Sequence, residues 1–122
     1  MADLIKEKTL IAVASDDGIN VNKHFGKAEK FYIYESIDDE VNFIEERNVS
    51  PGCGGCGNHN DSKIEANLEV IKDCSYLIVE RIGDRSFQAA EGFGIEPYEI
   101  PGNIEEGIDK LIKYIKVQRL FD

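Results

Sequence analysis

Positive charge is scarce in this chain. Its 122 residues hold 14 Lys and Arg against 24 Asp and Glu, a formal net charge of −10. Nucleic-acid binding is driven by cationic contacts to phosphate, so this balance argues against a nucleic-acid partner. Cysteine is scarce too. Three residues are an odd number and too few for a disulfide scaffold, which fits a reducing, cytoplasmic setting. No apolar run is long enough to cross a membrane and no signal-peptide pattern is seen, so no membrane partner is expected. No repeat or linker divides the chain. Its length fits one domain over residues 1–122 with a real core, and the polar stretch 1–8 is expected to fray.

Two of the three cysteines lie together, in Pro51-Gly52-Cys53-Gly54-Gly55-Cys56-Gly57-Asn58-His59. Cys53 and Cys56 are three residues apart, and His59 follows Cys56 by the same interval. The four glycines reach backbone angles that other residues avoid, so such a loop can wrap its own side chains around a small object. Cys-x-x-Cys spacing lets two thiolates reach one metal ion or one iron–sulfur cluster. A redox dithiol wants its first cysteine at a helix N-terminus, where the dipole lowers the thiol pKa. Both thiols here precede the nearest helix start by several residues, so metal binding is the better reading. A passive loop is the bland one.

The rest of the chain reads as alternating elements. Thr9 to Ser15 is a short, continuous apolar run that stops at Asp16-Asp17-Gly18, as a central strand buried on both faces would. Ile19 to Asn22 is a short extended piece. Phe31–Tyr34 and Val41–Val49 predict an antiparallel hairpin, with Val41, Phe43 and Glu45 alternating against polar neighbours. Ser62 and Glu65 form a capping box for a helix whose buried face is Ile64, Leu68 and Ile71. Tyr76–Val79 is a buried strand. Asp84 is a plausible N-cap of the next helix, which ends at Gly92 and Gly94. Ile95–Ile100 contains Pro97 and suits an edge strand. Asn103 caps the last helix, with Glu106 at N3 and Ile104, Ile108, Leu111, Ile112 and Ile115 as its buried stripe. The order β-β-β-α-β-α-β-α predicts an α/β fold: a mixed five-stranded sheet with helices packed on it, in a ribonuclease-H-like layout. Ligands of such sheets gather at the carboxyl ends of the parallel strands, here near Ser15–Asp17 and Glu80–Asp84.

His24-Phe25-Gly26 lies in the loop after the first strand. Taken alone, it is a surface histidine beside a residue that plugs the loop onto the core. With Cys53, Cys56 and His59 available, His24 becomes a candidate fourth ligand. The pieces Ile11-Ala12-Val13-Ala14, Asp17-Gly18, Val21, His24-Phe25-Gly26-Lys27-Ala28, Phe31 and Ile33 resemble the dinitrogenase iron–molybdenum cofactor biosynthesis family. So do Asp73 to Val79, Ile82-Gly83, Gly94-Ile95, Pro97-Tyr98 and Gly102 to Ile108. The resemblance runs from about Thr9 to Leu111 and is specific as a whole. It implies a ribonuclease-H-like fold and a NifX-like accessory role in metallocluster biosynthesis, not an enzymatic one. The cargo implied is an iron–sulfur cluster or an iron–molybdenum cofactor precursor, exchanged with a donor or acceptor protein. It implies a cofactor-contacting role for His24, Phe25 and Gly26, and it sets Cys53, Cys56 and His59 in a glycine-rich insertion found in many stand-alone members.

Rival chemistries weigh less. A ribonuclease-H-type nuclease needs several carboxylates converging on two metal ions, and the first strand carries only Asp16 and Asp17, just past its end. A small zinc-binding or regulatory interaction module is the alternative, with zinc held by Cys53, Cys56, His59 and either His24 or Cys74. Cys74, between a helix end and a buried strand, suits a small core residue better. Lys23, Lys27 and Arg81 are the cations able to offset an anionic cargo. Strands and capped helices are complete without the cysteine loop. Changing Cys53 and Cys56 to Ser should therefore leave the thermal midpoint within a few degrees of wild type, the effect of about 1 kcal/mol or less. Collapse of the fold in a thermal melt would instead mark a structural metal.

Overall fold

The first strand, β1 (Thr9–Ala14), has no polar face to offer water. Ile11, Ala12, Val13 and Ala14 are all fully buried. Side chains alternate along a strand, so a run of this kind forces a layer onto each side of its sheet. The computed structural model describes residues 8–37, 40–49 and 61–120. In it β1 is the centre of a five-stranded sheet of order β4-β3-β1-β5-β6. The other strands are β3 (Lys30–Ile37), β4 (Glu40–Asn48), β5 (Tyr76–Val79) and β6 (Glu96–Glu99). β3 runs antiparallel to both β1 and β4, while β1, β5 and β6 pair in parallel. Four strands therefore point one way, and their carboxyl ends share one edge.

Ala12, Phe31, Ile33 and Leu77 face α1 (Asp61–Val70) and α2 (Asp84–Gly92), meeting Leu68, Ile71 and Ala90 there. Ile11, Val13 and Ile78 face α3 (Ile104–Leu120), meeting Ile104, Ile108 and Leu111. Each such buried aliphatic side chain contributes about 1.5–3 kcal/mol. Among the described residues no helix is long and apolar enough to cross a membrane.

The five long strands and three helices fall in the predicted order, with Pro97 on the edge strand β6 where its missing N–H costs nothing. Other details differ. A second, two-stranded sheet pairs β2 (Asn20–Val21) with β7 (Gly102–Asn103), and the Ile104 N–H donates to the Ile19 carbonyl at 2.9 Å. The N-cap of α2 is Gly83, and Asp84 sits one residue later, where its charge meets the positive end of the helix. β4 does not alternate evenly. Tyr34 opposes Phe43 but Ile33 opposes Glu45, so Ile44 is an extra residue in a bulge. Beyond the bulge Glu45 and Arg47 face the α1 side. There Arg47 donates to the Val70 carbonyl at 2.9 Å and to both Asp73 carboxylate oxygens at 2.7 and 3.1 Å. The guanidinium holds the Asp73 carboxyl below its usual range and ties an edge strand to the end of α1.

The Glu106 N–H donates to the Asn103 side-chain oxygen at 3.0 Å, so the expected cap of α3 forms. Asn103→Ala should cost about 1 kcal/mol. The thermal midpoint should fall by several degrees while the far-ultraviolet circular dichroism of the folded state stays unchanged.

Candidate functional site

At the end of β1 the chain enters the fully buried Ser15, whose hydroxyl starts a tight turn. Its Oγ accepts the N–H groups of Gly18 (2.9 Å) and Asp17 (3.3 Å) and donates to Asp17 Oδ1 (3.1 Å). Asp17 Oδ1 in turn accepts the N–H groups of Ile19 and Asn20 at 2.8 and 2.9 Å. Those backbone bonds hold the Asp17 carboxyl below its usual range. Asn22 exchanges two hydrogen bonds with Asp16, at 2.8 Å to its side chain and 3.1 Å from its N–H. Both carboxylates left open by the sequence are thus committed to shaping the turn, which weighs against a nuclease. Gly18 has φ +73°, and a Cβ there would stand 2.9 Å from the Tyr32 ring, so glycine is required twice over.

The chain then returns along the end of β5. The Glu80 N–H donates to the Lys23 carbonyl (3.0 Å) and the Phe25 N–H to the Arg81 carbonyl (2.9 Å), which makes His24 and Arg81 a parallel bridge. Phe25 is 2% exposed, with its ring 5.9 Å from that of Phe31. It fills the core under the loop. Gly26 lies within the 3-10 turn Phe25–Lys27, which the Lys27 N–H closes onto the His24 carbonyl at 3.0 Å. Backbone on one side and a buried ring on the other therefore hold His24 out at the carboxyl edge of the sheet. Its imidazole is half exposed, with Nε2 3.9 Å from a Glu80 carboxylate oxygen.

Cys53, Cys56 and His59 lie outside the described residues. Their flanks do not. Ala14 opposes Phe31 across β1–β3, and Lys30 opposes Asn48 across β3–β4, so β4 ends at the edge where β1 ends. The Val49 N–H donates to the Glu29 carbonyl at 2.9 Å and fixes that exit. α1 begins at the same edge. Its Ile64 and Glu65 line a shallow cleft of about 310 Å³ with Arg85, Gln88 and Ala89 of α2, which starts where β5 ends. Val49 and the start of α1, the described flanks of the two cysteines, therefore both lie at the edge that carries His24.

Among the described residues, no three His, Cys, Asp or Glu side chains converge as a metal site. Cys74 does not join His24. It is 3% exposed at the opposite edge, where the Ser75 N–H donates to the Leu10 carbonyl. Burial, helped by the Asp73 carboxylate, pushes its thiol up to about 12, which disfavours the thiolate and suits a core residue. Of the expected cations, Lys23 is drawn to Asp16 at 3.5 Å. Lys27 and Arg81 are exposed, and neither has an ion-pair partner among the described residues. Sequence reasoning missed Glu80 as the neighbour of His24. Only the parallel register of β1 with β5 pairs them, and no local pattern signals it.

Known proteins resemble this chain. A family model described as dinitrogenase iron–molybdenum cofactor matches residues 7–114. The FeMo cofactor biosynthesis protein NifB of Frankia alni is 33% identical over 107 residues, 86% of this chain and 21% of that protein. The chain thus spans about a fifth of the length of that curated relative. Protein NifX of Rhodobacter capsulatus is 28% identical over 114 residues, 91% of this chain and 70% of that protein. The crystal structure of the protein PH0822 superposes with a TM-score of 0.67 at 24% identity, covering 86% of this chain and 91% of that one. That likeness bears on the fold alone.

The two neighbours in the loop after β1 should respond oppositely to truncation. Phe25→Ala opens a cavity in the core and should cost about 3–5 kcal/mol of stability. His24→Ala removes a half-exposed side chain and should stay within about 0.5 kcal/mol. Chemical denaturation of the two variants compares them directly.

Proposed function

The chain belongs to the dinitrogenase iron–molybdenum cofactor family, and from that membership we infer that it binds a metal cluster and passes it on. The cargo is of the iron–sulfur or iron–molybdenum-cofactor type, and the role is an accessory one in metallocluster biosynthesis rather than catalysis. The whole of residues 1–122 acts as one cytoplasmic domain of ribonuclease-H-like layout. A second protein donates or receives the cluster. The names of the relatives support this reading: one is a FeMo cofactor biosynthesis protein and the other a NifX.

The observation that carries the proposal is the sheet register. It brings the exit of β4, the last described strand before Cys53, Cys56 and His59 in the sequence, to the edge where His24 stands. In this reading Cys53 and Cys56 supply two thiolates, and His59 and His24 supply two imidazoles. Thiolates bind iron directly and a neutral imidazole completes the set. Phe25 contributes as the buried anchor of the histidine, and Gly26 as part of the turn that follows it. A thiolate-bound cluster is anionic, and a chain of net charge −10 needs local compensation. Lys27 and Arg81, which flank His24, supply it. The same four ligands also suit tetrahedral zinc, which metal analysis distinguishes from iron.

Anaerobic purification followed by iron, acid-labile sulfide and zinc determination tests the proposal. Iron with matching sulfide and a broad visible absorption is expected from the wild-type protein. His24→Ala should retain less cluster at unchanged stability. A colourless protein with stoichiometric zinc would replace the cargo reading with a small zinc module. Equal cluster retention in His24→Ala would leave the cysteine segment acting alone.

A further inference from the structure

The two faces of the sheet are covered unequally. α1 and α2 pack on one face, while α3 alone serves the other. A strip of β3 and β4 is left bare beside α3. There Tyr34, Val41 and Phe43 form, with Ile108 and Ile112, a groove of about 530 Å³. Phe43 is 51% exposed although its ring lies 5.5 Å from Tyr34 and 6.0 Å from Tyr32.

β4 is also the end strand of the sheet, and among the described residues nothing pairs with its outer side. Edge strands offer a row of unpaired N–H and C=O groups, and proteins blunt them with bulges and charge. β4 carries such protection only in its second half, with the bulge at Ile44 followed by Glu45, Glu46 and Arg47. Its first half, Glu40 to Ile44, has one charge and the apolar Val41, Phe43 and Ile44.

We propose that this half-strand docks a second copy of the chain, β4 against β4 in antiparallel pairing about a two-fold axis at Asn42. The two five-stranded sheets become one, and the two bare strips adjoin. The sequence complements itself in this register. Val41 opposes Phe43 of the second copy, twice, on the groove face, and pairs of this kind stabilise a sheet. Asn42 opposes its own copy on the other face, and Glu40 opposes Ile44. Within residues 40–44 no like charges are set against each other. A register moved to the second half would stack Glu45 and Glu46 on their own copies, which is destabilising.

Charge supports the same pairing. α3 starts at the carboxyl edge, where the Ile104 N–H meets the Ile19 carbonyl, so its Lys113 and Lys116 line the far end of the groove. Glu46 opposes Tyr32 and so shares the groove face. In the dimer, Glu46 of the second copy, which lies 3.4 Å from its own Lys30, runs past Glu40 toward Lys113, itself 3.1 Å from Asp109, so the contact joins existing ion pairs into one network. The contact is self-complementary, as a two-fold interface requires. It is also small and is opposed by the net charge of −10, so association is weak and concentration-dependent.

Sedimentation equilibrium of the full chain at physiological salt, from low micromolar to submillimolar concentration, tests the proposal. The mass should rise from that of one chain toward two, and amide exchange across residues 40–44 should slow in step. Phe43→Arg should weaken association by about tenfold or more. Asn42→Asp, which sets two carboxylates against each other at the axis, should weaken it too. Ile19→Arg changes an apolar side chain that is 60% exposed elsewhere, and should leave it unaltered. A single-chain mass throughout would overturn the proposal. So would a dimer that survives both β4 substitutions, because its interface would then lie elsewhere.

Discussion

β1 cannot face water on either side, and most of the structure follows from that constraint. Its four buried residues call for helices on both faces of the sheet and for strands on both of its sides. The antiparallel partner β3 and the parallel partner β5 meet these demands in different ways. β3 returns the chain through a hairpin, so β4 again runs with β1. β5 arrives by a helical crossover and likewise runs with β1. The chain therefore leaves β1, β4 and β5 at one edge of the sheet. That shared edge is a consequence of core burial, and the candidate site is built on it.

Rigidity at that edge comes from groups that bind one another. Ser15, Asp16, Asp17 and Asn22 use their polar atoms on one another and on backbone N–H groups, so the turn after β1 has a fixed course. Phe25 then pins the chain to the core, and the Glu80 and Phe25 N–H groups lace it to the end of β5. His24 is the side chain this arrangement leaves outward. In its proposed role, a side chain held by backbone pairing and a buried ring would need little ordering on binding, which lowers the entropic cost.

The sequence made the strands and the helix stripes legible because burial writes itself as periodicity. Ile104, Ile108 and Leu111 are the buried face of α3, and Leu68 lies on that of α1 with Ile71 buried one residue past its end, as their spacing indicates. The Asn103 cap was legible because it is local. Features set by distant partners were not. The Ile44 bulge depends on which β3 residues face β4. The β2–β7 pairing joins segments some eighty residues apart. The meeting of His24 with Glu80 needs the β1–β5 register. Gly83 rather than Asp84 caps α2, because Gly83 keeps the extended backbone and Asp84 already sits in the first turn, where its charge meets the helix dipole. At the site, the motif residues were visible in the sequence, but the roles of Phe25 as a core anchor and Asp17 as a turn former required the fold.

The central claim is that two segments separated in sequence hold one cargo. A double-mutant cycle on cluster retention tests it most directly, comparing wild type, His24→Ala, the Cys53→Ser/Cys56→Ser protein and their combination after anaerobic loading with iron and sulfide. If both segments bind one cluster, the combined variant should lose little more than the cysteine variant alone, because the histidine has nothing left to share. Independent, additive losses would contradict the account.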